Sequence, residues 1–108
     1  MKEDKFQEVV EMVIKNINTV MGQKSESYAR GGDKLHNFKR ASRVAEVTPA
    51  QALLGMKLKH DVSILDMIDD IELRNGYATD EYMLEKFGDS INYSILLMAL
   101  LIDMRKKP

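Results

Sequence analysis

The sequence predicts an all-α fold, a bundle of three long helices and one short one. Three observations carry this. Apolar residues recur at i, i+3 and i+4 along most of the chain, helix start and stop signals punctuate it, and no run reads as a strand. A length of 108 residues suits a single domain over 1–108. At 44% hydrophobic and 31% charged, the chain belongs with globular rather than disordered sequences.

Each element has its own signal. In the first helix Phe6, Val9, Val10, Val13, Ile17, Val20 and Met21 follow the spacing of one buried face, and Gly22 is its expected terminator. A polar, basic loop over 22–40 follows, broken at Gly31-Gly32. Leu35, Phe38 and Ala41 or Ala45 then outline a short amphipathic helix. "TPAQ" at 48–51 opens a long one, with Thr48 as N-cap, Pro49 at the first helical position and Gln51 completing a capping box. Its apolar stripe is read as Leu53, Leu54, Leu58, Val62, Leu65 and Ile68. Asn75-Gly76 ends it, and Thr79 or Asp80 caps the last helix, which runs to about Arg105 with Leu84, Phe87, Ile91, Ile95, Met98 and Ile102 inward. The segment "INYSILLMALLI" is apolar over more than one stripe, which predicts a second buried face and a homodimer or homotetramer.

Composition excludes several function classes. With no cysteine there is no disulfide framework, thiol nucleophile or Cys-based zinc site, which fits a reducing cytoplasm. The charged N-terminus is not a signal peptide, and no apolar run was expected to approach the roughly 18 residues of a membrane span. A formal net charge of −1 argues against nucleic-acid binding. That average hides an asymmetry. Residues 24–43 carry six Lys/Arg against Glu26 and Asp33, whereas 60–89 carry nine Asp/Glu against Arg74 and Lys86. Carboxylates that hold Mg²⁺ beside a basic loop that holds phosphates would account for it, as would solvated helix faces.

Three constellations carry candidate chemistry. Glu85, Asp89 and Asn92 stand at i, i+4 and i+7 on one helical face, just before the apolar run. Burying that line requires a cation or a donor to compensate it. In "KHDVSILDMIDD", Lys59, Ser63, Asp66 and Asp70 form a line with His60 beside it, and Asp66 and Asp69 make a second carboxylate pair. A Ser–His–Asp hydrolase is not expected there, because Ser63 sits in mid-helix with no sharp turn to expose its hydroxyl and no oxyanion loop beside it. In "SESYARGGDKLHNFKR", Gly31-Gly32 between Arg30 and Lys34 suits phosphate wrapping, without the spacing of a Walker loop. Tyr28, His36 and Phe38 offer surfaces for a base; the alternative is an ordinary basic loop with aromatic anchors.

Taken together, "SYARGGDKLHNFKRAS", "GMKLKHDVSILDM" and "EKFGDSINYSILL" resemble, in order and spacing, a group of small phage and prophage nucleotide-modification-associated proteins. That group lies near the MazG-like all-α NTP pyrophosphohydrolases. The resemblance covers roughly Lys24 to Leu101. It implies an oligomeric helical bundle that binds a nucleotide and uses Mg²⁺, or Mn²⁺, to activate water against the α–β phosphate linkage in phage nucleotide metabolism, hence in the host cytoplasm.

The family pattern is Glu-x-x-Glu, a spacer, then Glu-x-x-Asp. Asp89 matches the final Asp, Glu85 precedes it by four, and Lys86 stands three before it. The earlier pair is Asp66 and Asp69, or the Lys59/His60/Ser63 group replaces it. The implied metal ligands are therefore Glu85, Asp89, Asp66 and Asp69, with Asp89 or Asp66 as general base and His60 beside them. Lys59, Ser63, Asn92, Tyr28, Arg30, Lys34 and Asn37 are the implied nucleotide contacts, the basic loop closing over the phosphates. Two other readings stay open: a nucleotide-binding protein without turnover, and a structural or protein-interaction bundle.

Overall fold

The computed structural model describes residues 1–105, with 24–28 described as backbone only. It is a bundle of four helices: α1 (Glu3–Tyr28), α2 (His36–Ala45), α3 (Pro49–Leu73) and α4 (Asp80–Met104). Among the described residues there is no strand, only an isolated antiparallel bridge between Arg30 and Asp33.

The caps follow the sequence closely. Thr48 accepts from the Gln51 backbone and Gln51 returns a bond to the Thr48 backbone, so two orphan N–H groups are satisfied at once. Thr79 accepts from the Tyr82 N–H at the start of α4. The helix before the basic loop runs further than expected. Gly22 does not end α1, which continues to Tyr28, so the loop spans 29–35 rather than 22–40. Gly31 and Gly32 make the break, both at positive φ, where a Cβ would be strained.

α4 is the central helix. α3 packs antiparallel on one side of it: Met67 and Ile71 lie at the level of Tyr82, Asp61 faces Ser90, and Leu53 joins the cluster of Leu96 and Leu100. α1 lies parallel on another side, with Asn16 at the level of Gly88. The short α2 crosses the end where α4 finishes. Its Lys39 donates to Asp33 on the loop and to Asp103 at the end of α4. The core gathers at that end: Leu35, Phe38, Leu53, Tyr93, Leu96 and Leu100 are all buried.

Two of the expected inward stripes face outward. Of the α3 stripe only Leu53 is buried, while Leu58 and Val62 are 51% and 52% exposed. On α4, Phe87, Ile95, Met98 and Ile102 are exposed, and the buried positions are Gly88, Asn92, Tyr93, Leu96 and Leu100. In α2, Ser42 is buried where Ala41 or Ala45 was expected. Both long helices have apolar residues on more than one face, so periodicity alone does not select the face that α2 and α1 cover. The same two-sided character makes Asp80–Met104 long and apolar enough, by length and composition, to cross a membrane. An 18-residue window in it has a mean hydropathy of 1.3, which corrects the expectation that no run approaches span length.

Candidate functional site

Towards the N-terminal half of α4 the bundle opens, because α2 covers only the opposite end. Here α4 presents a polar line to a crevice shared with α1. Glu81, Glu85 and Asp89 stand at i, i+4 and i+8, and all three line a crevice of about 230 Å³ with Asn92 and Asn16. Gly88 makes the approach of α1 close: a Cβ there would lie 2.8 Å from Asn16 Oδ1.

Asn92 is the most informative residue of this crevice. It is only 6% exposed, and its Oδ1 has no hydrogen-bond partner. Leaving a buried amide oxygen unpaired costs on the order of 1–3 kcal/mol, a cost that a ligand offering a positive charge or a donor would remove.

α3 brings one of the expected residues up to Asp89. His60 Nδ1 lies 3.6 Å from Asp89 Oδ2, an ion-pair separation too long for a hydrogen bond. The imidazole stacks on Tyr93, with ring centroids 5.0 Å apart and planes at 21°, and Tyr93 meets Phe38 edge-on at 6.2 Å. His60 thus sits at one end of a His60–Tyr93–Phe38 run of ring contacts. Beside it, Asp61 accepts from Lys57 Nζ at 2.8 Å and from Ser90 Oγ at 2.6 Å. The Lys57 bond first, and the Ser90 bond second, hold the Asp61 carboxyl below the usual carboxylate range.

The other expected residues are placed elsewhere. Asp66 and Asp69 are exposed on α3, as is Lys59, and the Ser63 hydroxyl is turned to the Lys59 carbonyl. Asp70 pairs with Arg74 at 2.9 Å. Among the described residues no three His, Asp or Glu side chains converge as a metal-holding group. The set Glu85, Asp89, Asp66 and Asp69 is therefore not gathered: Asp66 and Asp69 lie on a face of α3 away from the buried Leu53–Met67 line that packs inward. Arg30, Lys34 and Asn37 are exposed, and the loop is tied through Lys39 to Asp103. Asp103 stands fourteen residues beyond Asp89, about 20 Å along the helix. Within one chain the basic loop is thus not closed over the carboxylates. The Tyr28 side chain lies outside the described residues.

Comparison with protein families, curated proteins and solved structures gives no match to this chain.

Four participants were not singled out in the sequence: Glu81, Asp61, Tyr93 and Asn16. Glu81 was legible as the i−4 partner of Glu85, and Tyr93 as the i+4 partner of Asp89. Asp61 and Asn16 carried no local signal, since their partners are on another helix.

Proposed function

We propose that this chain is a divalent-cation-dependent nucleotide pyrophosphohydrolase-like protein of phage nucleotide metabolism, working in the cytoplasm. The observation that carries the reading is the buried, unpartnered Asn92 Oδ1 in a crevice lined by Glu85 and Asp89. These donors are all oxygen, the chemistry of a hard cation. Mg²⁺ commonly takes only one or two carboxylates from the protein and completes its shell with water and phosphate oxygens, so a third converging carboxylate is not required. Glu85, Asp89 and Asn92 are the residues that would hold such an ion. Such an ion would supply charge neutralisation of the phosphates and a lowered pKa for a bound water.

The chain's own groups supply the rest. His60 stands beside Asp89, with Nδ1 3.6 Å from Oδ2, and its ring stacks on Tyr93. The products would be a nucleoside monophosphate and pyrophosphate.

A second reading, nucleotide binding without turnover, is favoured by Lys86. Its Nζ lies 3.9 Å from Glu85 Oε1, so a fixed cation already stands beside one candidate ligand. Homo-oligomerisation is supported by the apolar residues that α3 and α4 leave exposed.

The test is calorimetric titration with mixed dNTPs, with and without Mg²⁺, followed by anion-exchange analysis of the end-point. Mg²⁺-dependent heat with monophosphate formed supports hydrolysis, and heat without product selects the binding reading. Absence of heat in both conditions would leave the structural bundle. Asp89→Asn is expected to abolish the Mg²⁺-dependent heat while circular dichroism stays helical.

A further inference from the structure

At the start of α4, the turn between α3 and α4 forms a second concavity, of about 520 Å³. Its shape starts from Gly76. The Gly76 N–H donates to the Asp70 carbonyl at 2.8 Å, and a Cβ at Gly76 would meet that same oxygen at 2.8 Å. The chain therefore folds back tightly over the end of α3 before α4 begins. Met67, which is buried, and Ile71 contribute apolar walls. Tyr77 and Tyr82 line the cup as well, 89% and 45% exposed. Both rings leave apolar surface in water that a flat aromatic ligand would cover.

We propose that this cup binds the nucleobase of a nucleotide whose phosphates reach the Glu85–Asp89 crevice; the identity of the ligand rests on the function proposed above. The lining decides which end of such a ligand enters: Met67, Ile71 and the Tyr77 and Tyr82 rings suit an uncharged aromatic base. The rim carries a donor and an acceptor in the Arg74–Asp70 pair, suited to the polar edge of a base.

The spacing to the crevice agrees with this. Tyr82 precedes Glu85 by three residues and Asp89 by seven, so the three share one helical face, and Tyr82 to Asp89 is about 10 Å along the axis. A nucleotide laid along that face spans from base to phosphate chain over a similar reach. Lys86 stands between the two ends, with Nζ 5.4 Å from the Tyr82 ring centroid and 3.9 Å from Glu85. At that position an ammonium contacts the phosphate nearest the sugar. The lysine that occupies an expected metal-ligand position thereby acquires a role in binding.

Two titrations and one spectrum test the cup. A nucleoside, carrying no phosphate, is expected to shift the Tyr77 and Tyr82 ring resonances and to leave Tyr93 in place. The double variant Tyr77→Ala with Tyr82→Ala is expected to weaken dNTP binding in Mg²⁺ by about tenfold or more, as base–aromatic stacking does elsewhere. Binding of inorganic triphosphate with Mg²⁺ should stay unchanged, and Phe at both positions should restore dNTP affinity. No ring shift with the nucleoside overturns the cup, and so does equal weakening of dNTP and inorganic triphosphate. Nucleoside binding at Tyr77 and Tyr82 without any binding of inorganic triphosphate would retire the phosphohydrolase reading and leave the cup standing.

Discussion

Ser90 on α4 donates its hydroxyl to Asp61 Oδ1 on α3 at 2.6 Å, a bond that ties together the two 25-residue helices. Lys57 occupies the other carboxylate oxygen at 2.8 Å. One residue before Asp61 is His60; one residue before Ser90 is Asp89. The His60–Asp89 contact lies immediately beside this bond.

Asp61 makes stability depend on acid. Its folded pKa lies below the ordinary carboxylate value because of Lys57 and then Ser90. A depressed folded pKa contributes stability that is present above the unfolded value and is lost as pH falls through the folded one. Asp61→Asn should therefore lower stability at neutral pH, by roughly 1 kcal/mol for a partly exposed pair. It should also flatten the acid limb of a thermal-denaturation series below the usual carboxylate range. An acid limb identical to that of the unaltered protein would remove Asp61 as a determinant.

Gly88 separates local from tertiary cost. In Gly88→Ala the new methyl meets only the end of the Asn16 side chain, which can turn, while helix propensity improves by about 1 kcal/mol. The variant should unfold within about 1 kcal/mol of the parent. Gly88→Leu cannot be relieved this way and should destabilise by about 1–3 kcal/mol as α1 is pushed away. Urea melts of the two variants check this; equal midpoints would mean that α1 does not pack closely there.

The exposed apolar residues predict self-association. Leu58 and Val62 on α3 and Met98 on α4 are each more than half exposed, more apolar surface than a monomer of this size needs to show. Light scattering coupled to gel filtration should give a dimer or tetramer. Leu58→Glu combined with Val62→Lys should shift it to monomer with helicity retained. A monomeric parent protein at high concentration would sink the idea.

Much of this was legible locally. The Thr48–Pro49–Gln51 box, the Thr79 cap and the Gly31-Gly32 break are decided by side chains within four residues of the backbone they serve, so the sequence determined the all-α class and most helix ends. The Glu85–Asp89–Asn92 line was legible for the same reason: helical spacing puts those residues on one face whatever surrounds them. The tertiary structure decided which faces of α3 and α4 turn inward, because each helix has apolar residues on two sides and only the docking of α1 and α2 distinguishes them. It also decided that His60, and neither Asp66 nor Asp69, meets Asp89, and that Tyr93 backs the imidazole. Those relations join residues about thirty positions apart. They follow from the antiparallel register of α3 and α4, which no local periodicity encodes, since a shift by one helical turn preserves the same pattern while exchanging every cross-helix partner.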